Sequence, residues 1–404
     1  MDETHPEPRS LIVLCRDPGE VGLARYFLRE QAFAKGAVAV LPCDPSLFSA
    51  WRLLPVPAFP YATGEDLLAL VHSHEPDVVF FFSAYLFALE GLLSPKALDT
   101  LLGQLRDRGC RVVTSDPFLG MGPHLAVAQI DTRMLAPGEP WLKRWLLRLW
   151  FGLSRRRTKV LRAPSLEDVP HLYPHSIPDR DDHIPRMSFF NPTIIRGAVG
   201  APAVGDGRAQ GDALDGRPRW LFVLSARDVH VQGMLVGLRE FTERLLGMLR
   251  HALEADRHPT LIAPSWLIRR LANALPASAE LLSSCPSVEF EQRMLDAEYV
   301  FSWNPFSFSL LARVANELPV FVIDRGFLAR TVKPYYDLAR ACYLGGWEPT
   351  YLDQRQLFSP YVLAHLARGQ KPMMRELRER WLSSPTPDAV VEQLLGTGAP
   401  SKST

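Results

Sequence analysis

Two carboxylates, Asp17 and Glu20, stand in the run Arg16-Asp17-Pro18-Gly19-Glu20-Val21-Gly22. An apolar stretch, Leu11–Cys15, precedes this run, and the helically spaced LARYFLREQAF follows it. Gly19 and Gly22 permit a tight turn and close backbone approach, and the start of a helix offers free N–H groups. A carboxylate placed there faces the carboxyl edge of a parallel sheet, where ligands bind, and could act as a general base. The competing reading is a bare turn in which Asp17 or Glu20 caps the helix.

Three further polar groups sit at similar positions in the second half of the chain. Ser302-Trp303-Asn304-Pro305-Phe306-Ser307-Phe308-Ser309 lies between a strand pattern and the helical LLARVANE. Ser307 or Ser309 could hold a phosphate through hydroxyls and backbone N–H groups; ordinary N-capping, with Phe306 and Phe308 in the core, is the alternative. Ser225-Ala226-Arg227-Asp228 follows the strand pattern Trp220–Ser225, and Arg227 could pair with a diphosphate or lie solvated in a loop. Asp324-Arg325-Gly326-Phe327 follows the strand Pro319–Asp324 and could add polar groups to the same rim. Asp179-Arg180-Asp181-Asp182 contains an Asp-x-Asp that could hold a divalent cation, but its proline-rich context favours a solvated acidic turn. The histidines form no set, and neither HExxH nor GxSxG occurs, so zinc and hydrolase readings have little support.

The elements that must position these groups alternate. After Leu11–Cys15 come strand patterns at Ala37–Pro42, Asp77–Ala84 and Cys110–Asp116, with helical spacing at Glu65–His74 and Ser94–Arg108. Pro164 to Pro185 read as loops and short turns up to Ile195. The second half repeats the scheme: strands at Trp220–Ser225, Thr260–Pro264, Ser287–Phe290, Tyr299–Trp303 and Pro319–Asp324, and helices at Gly237–Ala255, Arg368–Leu382 and Pro387–Leu395. Alternation of this kind predicts parallel, doubly wound sheets. Between the halves, GAVGAPAVGDGRAQGDALDG cannot bury a core and reads as a linker. The expected organisation is a Rossmann-like domain over 1–196, a flexible linker over 197–217, a second Rossmann-like domain over 218–395 and a tail over 396–404. The two parallel sheets are expected to face one another across a cleft, a favoured place for ligands.

Bulk properties exclude several classes. A net charge of +1 provides no global field for nucleic acid. Cys15, Cys43, Cys110, Cys285 and Cys342 are odd in number and make no CxxC, which argues against a disulfide framework or zinc site and suits a reducing cytosol. The N-terminus does not read as a signal peptide, and no apolar run reaches the roughly 18 residues that span a bilayer. A cytoplasmic protein is expected. Trp141–Lys159 mixes Trp141, Trp145 and Trp150 with seven Lys and Arg residues. Packing of its aromatic face on the core is the favoured reading; peripheral contact with an anionic membrane, at the inner face, is the alternative.

The stretch AEYVFSWNPFSFSLLARVANELPVFVID resembles the unit that grips the donor diphosphate in GT-B glycosyltransferases, two-Rossmann enzymes that use nucleotide sugars. The family's Gly-rich turn is replaced here by Asn304-Pro305-Phe306-Ser307. The RDPGEVG loop resembles the acidic first loop of some inverting members, including protein-arginine rhamnosyltransferases, in which an Asp acts as base. The resemblance implies a nucleotide-diphosphate sugar as co-substrate, no other cofactor and no metal. It puts the donor at Ser225, Arg227, Asn304, Ser307, Ser309 and Asp324, the base at Asp17 or Glu20, and backbone donors at Gly19 and Gly22. A non-catalytic protein that kept this fold to bind a nucleotide or a partner, and a nucleotide-sugar epimerase, are the other readings.

Overall fold

The computed structural model describes residues 9–44, 54–117, 145–146, 149, 166–177, 183–196, 216–323 and 333–396. In the first half, seven strands form one parallel sheet: β1 Ser10–Leu14, β2 Ala37–Pro42, β3 Ala58–Tyr61, β4 Val78–Phe82, β5 Arg111–Ser115, β6 His171–Tyr173 and β7 Arg186–Ser188. Their order is β3-β2-β1-β4-β5-β6-β7. Helices α1 (Pro18–Leu28), α2 (Gly64–His74), α3 (Ala84–Leu89) and α4 (Pro95–Asp107) connect them. The central strands read as continuous apolar runs because both faces are covered; β1 and β4 are buried at every position.

The second half holds a six-stranded parallel sheet: β8 Arg219–Val223, β9 His258–Ile262, β10 Glu280–Leu282, β11 Tyr299–Ser302, β12 Val320–Ile323 and β13 Tyr351–Leu352. The order is β10-β9-β8-β11-β12-β13. Its helices are α5 (Ala226–Val236), α6 (Leu238–Glu254), α7 (Ser265–Ala272), α8 (Ser287–Asp296), α9 (Ser309–Ala315), α10 (Lys333–Leu344), α11 (Pro360–Leu382) and α12 (Pro387–Gly396). Counted within its own half, each sheet begins 3-2-1-4-5-6. The strand order reverses between the first and fourth strands, so a crevice opens beyond the carboxyl ends of β1 and β4, and of β8 and β11.

The expected strands and helices recur within a residue or two at most positions; the helix expected at Arg368–Leu382 begins earlier, at Pro360, and three further corrections apply. Ser287–Phe290, expected as a strand, is the first turn of α8. The proline-rich stretch before Ile195 contains β6 and β7 in addition to its turns. Trp145, Leu146 and Leu149 are exposed, so the expected core packing is not met at these positions; Trp141 and Trp150 lie outside the described residues. Residues 197–215 of the expected linker, Asp324, Asp179–Asp182 and the tail beyond 396 also lie outside them.

The halves share one core. Ile12, Leu14, Phe80 and Phe82 on one face of the first sheet pack with Phe27, Phe189 and Phe190, and this cluster continues through Leu311, Val314 and Trp381 to Val390, Val391 and Leu394. Helix α12 is thus seated on the first half. The Asp388 carboxylate accepts from the backbone N–H of Ala32 and of Phe33, both at 3.0 Å. Trp381 stacks on Phe190 with ring centroids 5.9 Å apart. Among the described residues, no helix is long and apolar enough to cross a membrane.

Candidate active site

Asp17 is the N-cap of α1: its Oδ1 accepts from the Gly19 N–H at 2.7 Å and the Glu20 N–H at 3.3 Å. Pro18 follows in the first turn, where its missing N–H costs nothing. The strand-to-helix turn is anchored from outside, since the Arg16 N–H donates to Glu90 Oε2 at 2.7 Å and the Cys15 N–H to the Phe82 carbonyl at 3.0 Å. One helical turn in, Glu20 points inward and is buried. Ser115, at the end of β5, donates to Glu20 Oε2 at 2.5 Å. Burial is the main cause that raises the Glu20 pKa, to about 8; Ser115 opposes it, and the charges of Asp17, Asp116 and Glu90 add to it. Asp116 comes next after Ser115 and accepts from Tyr173 Oη at 2.9 Å.

Across from these groups, the Asn304 side chain organises the turn after β11. Asn304 Oδ1 accepts from the Phe306 N–H at 3.0 Å, an Asx turn, while Ser302 Oγ accepts from the Asn304 N–H at 3.2 Å. Capping of α9 by serine, the alternative reading of this segment, does not occur. Phe308 occupies the cap position without a side-chain bond, and the Ser307 and Ser309 hydroxyls bond each other at 2.7 Å. Phe306 and Phe308 are half-buried: each packs against a core cluster and also lines a cavity.

That cavity, of about 630 Å³, brings Asp17, Gly19, Glu20 and Gly22 of the first half together with Asn304, Ser307 and Ser309 of the second. It is within the size range of small-molecule sites. Asp116, Tyr173, Arg25, Arg29 and Glu291 also line it, and Leu23, Tyr26, Leu172, Met294, Phe306 and Phe308 make much of its wall apolar. Ser225 is not among the described lining residues. Its hydroxyl and backbone are engaged with Asp228 in a capping box at the start of α5. Arg227, expected in a loop, lies within the first turn of α5, and its side chain lies outside the described ones. Among the described residues, no group of three or more His, Cys, Asp and Glu is arranged to hold a metal ion.

Sequence reasoning missed Ser115, Asp116, Tyr173, Arg25, Arg29 and Glu291. Asp116 had a readable signal, since it ends a strong strand pattern at the same edge as Asp17. Arg25 and Arg29 had a fainter one: with Gly22 and Tyr26 they mark one face of α1. Glu291 was hidden by the strand reading of its segment.

No family model matches the chain, and no curated protein matches it. Among solved structures the chain is similar to the glycotransferase of kitacinnamycin, with a TM-score of 0.55 and 16% identity, over 96% of this chain and 99% of that one. It is similar to CalG4, the calicheamicin glycosyltransferase, with a TM-score of 0.54 and 15% identity, over 98% and 100%. A protein from Listeria monocytogenes assigned as a UDP-N-acetylglucosamine 2-epimerase gives a TM-score of 0.51 at 11% identity, over 98% and 99%. The molecule therefore has a GT-B-like fold, with two Rossmann-like sheets and a cavity between them. That fold is shared with proteins named as glycosyltransferases and with one assigned as an epimerase.

Proposed function

We propose that this protein is a glycosyltransferase that moves a sugar from a nucleotide-diphosphate donor to an acceptor hydroxyl or amine, with inversion. The acceptor binds residues 1–196 and the donor nucleotide binds residues 218–395. The observation that carries this reading is the shared cavity, which sets a buried carboxylic acid of the first half opposite the Asn304–Ser309 turn of the second. Of the two acidic candidates, Glu20 is the base. Asp17 spends one oxygen on capping α1, whereas Glu20 is buried, lines the cavity and has a pKa near the range in which a base works best. Asp17 holds the helix start in register and adds negative charge beside Glu20.

In the reaction, ionised Glu20 takes the acceptor proton as the acceptor oxygen or nitrogen attacks the anomeric carbon. The bond from that carbon to the diphosphate oxygen breaks, and the diphosphate leaves with the electron pair. Hydroxyls of Ser307 and Ser309, the Asn304 turn and Arg227 meet the leaving charge. Water exclusion by the apolar wall strengthens each of these contacts.

A panel of nucleotide sugars, screened by thermal shift and then by turnover with candidate acceptors, tests the reading. Glu20→Gln keeps the shape and removes the proton acceptor. Turnover is expected to fall about 10²-fold with donor binding intact. Full activity of Glu20→Gln with the true acceptor would place the base elsewhere. The likeness to the protein assigned as an epimerase supports a second reading, in which the donor sugar is isomerised without any acceptor. Donor turnover in acceptor-free buffer, with a new sugar epimer as product, would favour it. Nucleotide binding without turnover across donors and acceptors would favour a non-catalytic binder.

A further inference from the structure

Helix α1 carries opposite chemistry at its two ends of the cavity. Asp17 and Glu20 lie at its start; Arg25 and Arg29 lie further along and also line the wall. They are the cationic side chains among the described residues that do so. Both reach across to one carboxylate of the second half. Arg29 Nη1 lies 2.6 Å from Glu291 Oε1, and Arg25 Nη2 lies 3.4 Å from Glu291 Oε2. Glu30 touches Arg29 Nε at 3.7 Å but does not line the cavity. Two like charges four residues apart, one in the last turn of α1 and one at its C-cap, repel each other when they come close. Here they stand three-quarters buried or nearly so, with exposures of 20% and 30%, and share a single anion inside the cavity. Two forked guanidinium groups converging on one carboxylate have the geometry and charge suited to a more highly charged anion.

We infer that Arg25 and Arg29 form a diphosphate-binding pair, and that Glu291 is an internal stand-in for the anion, displaced when the ligand enters. The class of ligand rests on the nucleotide-sugar reading above. The spacing agrees with it. Glu20 precedes Arg25 by a rise of about 7.5 Å along the helix, and Arg29 caps the helix beyond it. A ligand lying along α1 then has its reacting carbon near the base and its leaving group near the two cations. The diphosphate is gripped from both sides: by Arg25 and Arg29 from the first half, and by the Asn304–Ser309 turn from the second. Binding exchanges an ion pair between the halves for ion pairs to the ligand.

The test is calorimetry at fixed ionic strength with inorganic pyrophosphate, with UDP, dTDP, GDP and ADP, and with the matching nucleosides. Arg25→Gln combined with Arg29→Gln is expected to weaken pyrophosphate and the preferred nucleoside diphosphate by roughly 10- to 100-fold. Nucleoside affinity should stay unchanged, which controls for folding. Glu291→Gln removes the competing charge and is expected to tighten both diphosphates by about 3- to 10-fold. Misfolding cannot produce that gain. If the parent binds a nucleoside diphosphate and either arm fails, the Arg pair is overturned and the transferase reading stands. If pyrophosphate binds with the expected dependence on Arg25, Arg29 and Glu291 while no nucleoside diphosphate does, the pair stands and the nucleotide-sugar reading falls. A parent protein that binds neither overturns both.

Discussion

Glu20 holds its proton at neutral pH because its carboxyl is buried near Asp17, Asp116 and Glu90, and burial is the largest of these effects. As a base it must first ionise, so kcat/KM is expected to rise with pH through about 8. Ser115 donates to the carboxylate and so favours its ionised form. Ser115→Ala should therefore move the midpoint of that pH profile upward, and an unmoved midpoint would dissociate Ser115 from the base. The same carboxyl affects folding. Its folded pKa lies above the ordinary 4.5, so its contribution to stability is fully present below about 4.5 and is lost as pH rises through about 8. Glu20→Gln lacks this loss. The Tm of the variant minus that of the parent should grow between pH 4.5 and pH 8.5, and a flat difference would mean that Glu20 is not buried as a neutral acid. Position along the chain made Asp17 and Glu20 legible, because a strand end followed by a glycine-bearing turn marks the ligand edge of a parallel sheet. Which of the two is buried was not legible. That depends on Ser115 and Asp116, about a hundred residues away, and on a helical turn that rotates Glu20 inward.

Short elements were the least legible, and α8 shows why. Ser287–Phe290 offers Val288 and Phe290 in alternation, which fits a strand. The helix wins because Pro286 starts it and because Arg293 pairs with Glu289 one turn back, at 2.7 Å, and with Glu280 at 2.6 Å. β6 and β7 are three residues each, too short for a period to register against the surrounding prolines. The helix LLARVANE carries one arginine, Arg313. It is fully buried, and its guanidinium donates to the carbonyls of Met294, Ala297, Glu298 and Pro319 at 2.6 to 3.2 Å. Burial pulls its pKa down to about 9. One side chain therefore ties α9 to the end of α8 and the starts of β11 and β12, the elements that flank the Asn304–Ser309 turn. Arg313→Met fills much of the volume but leaves four buried acceptors without this donor. A loss of about 3 kcal/mol or more is expected in chemical denaturation. A loss under about 0.5 kcal/mol would show that water replaces the guanidinium.

At the scale of the whole molecule, two sheets with the same opening strand order are joined by more than a linker. Arg196 pairs with Asp296, the Arg196 N–H donates to Asn316 Oδ1 at 2.8 Å, and α11 and α12 carry the chain back to the first sheet. The alternating pattern made both sheets legible. The return of α12 was not, since a short amphipathic helix carries no sign of which core it completes. We propose the domain boundary at 197–217, and limited proteolysis checks it together with these contacts. Cleavage is expected first within 197–215, and the two fragments are expected to elute as one species in size-exclusion chromatography. Fragments that separate would mean that these contacts do not hold the halves together. The seating of α12 also bears on how the protein is made. Chains leave the ribosome from the N-terminus, and early domains ordinarily fold first. Here Val390, Val391 and Leu394 belong to the same core as the first sheet, so that core stays incomplete until they too have been made. A chain cut before Pro387 would therefore lose part of the core of a sheet whose first strand lies more than 370 residues upstream.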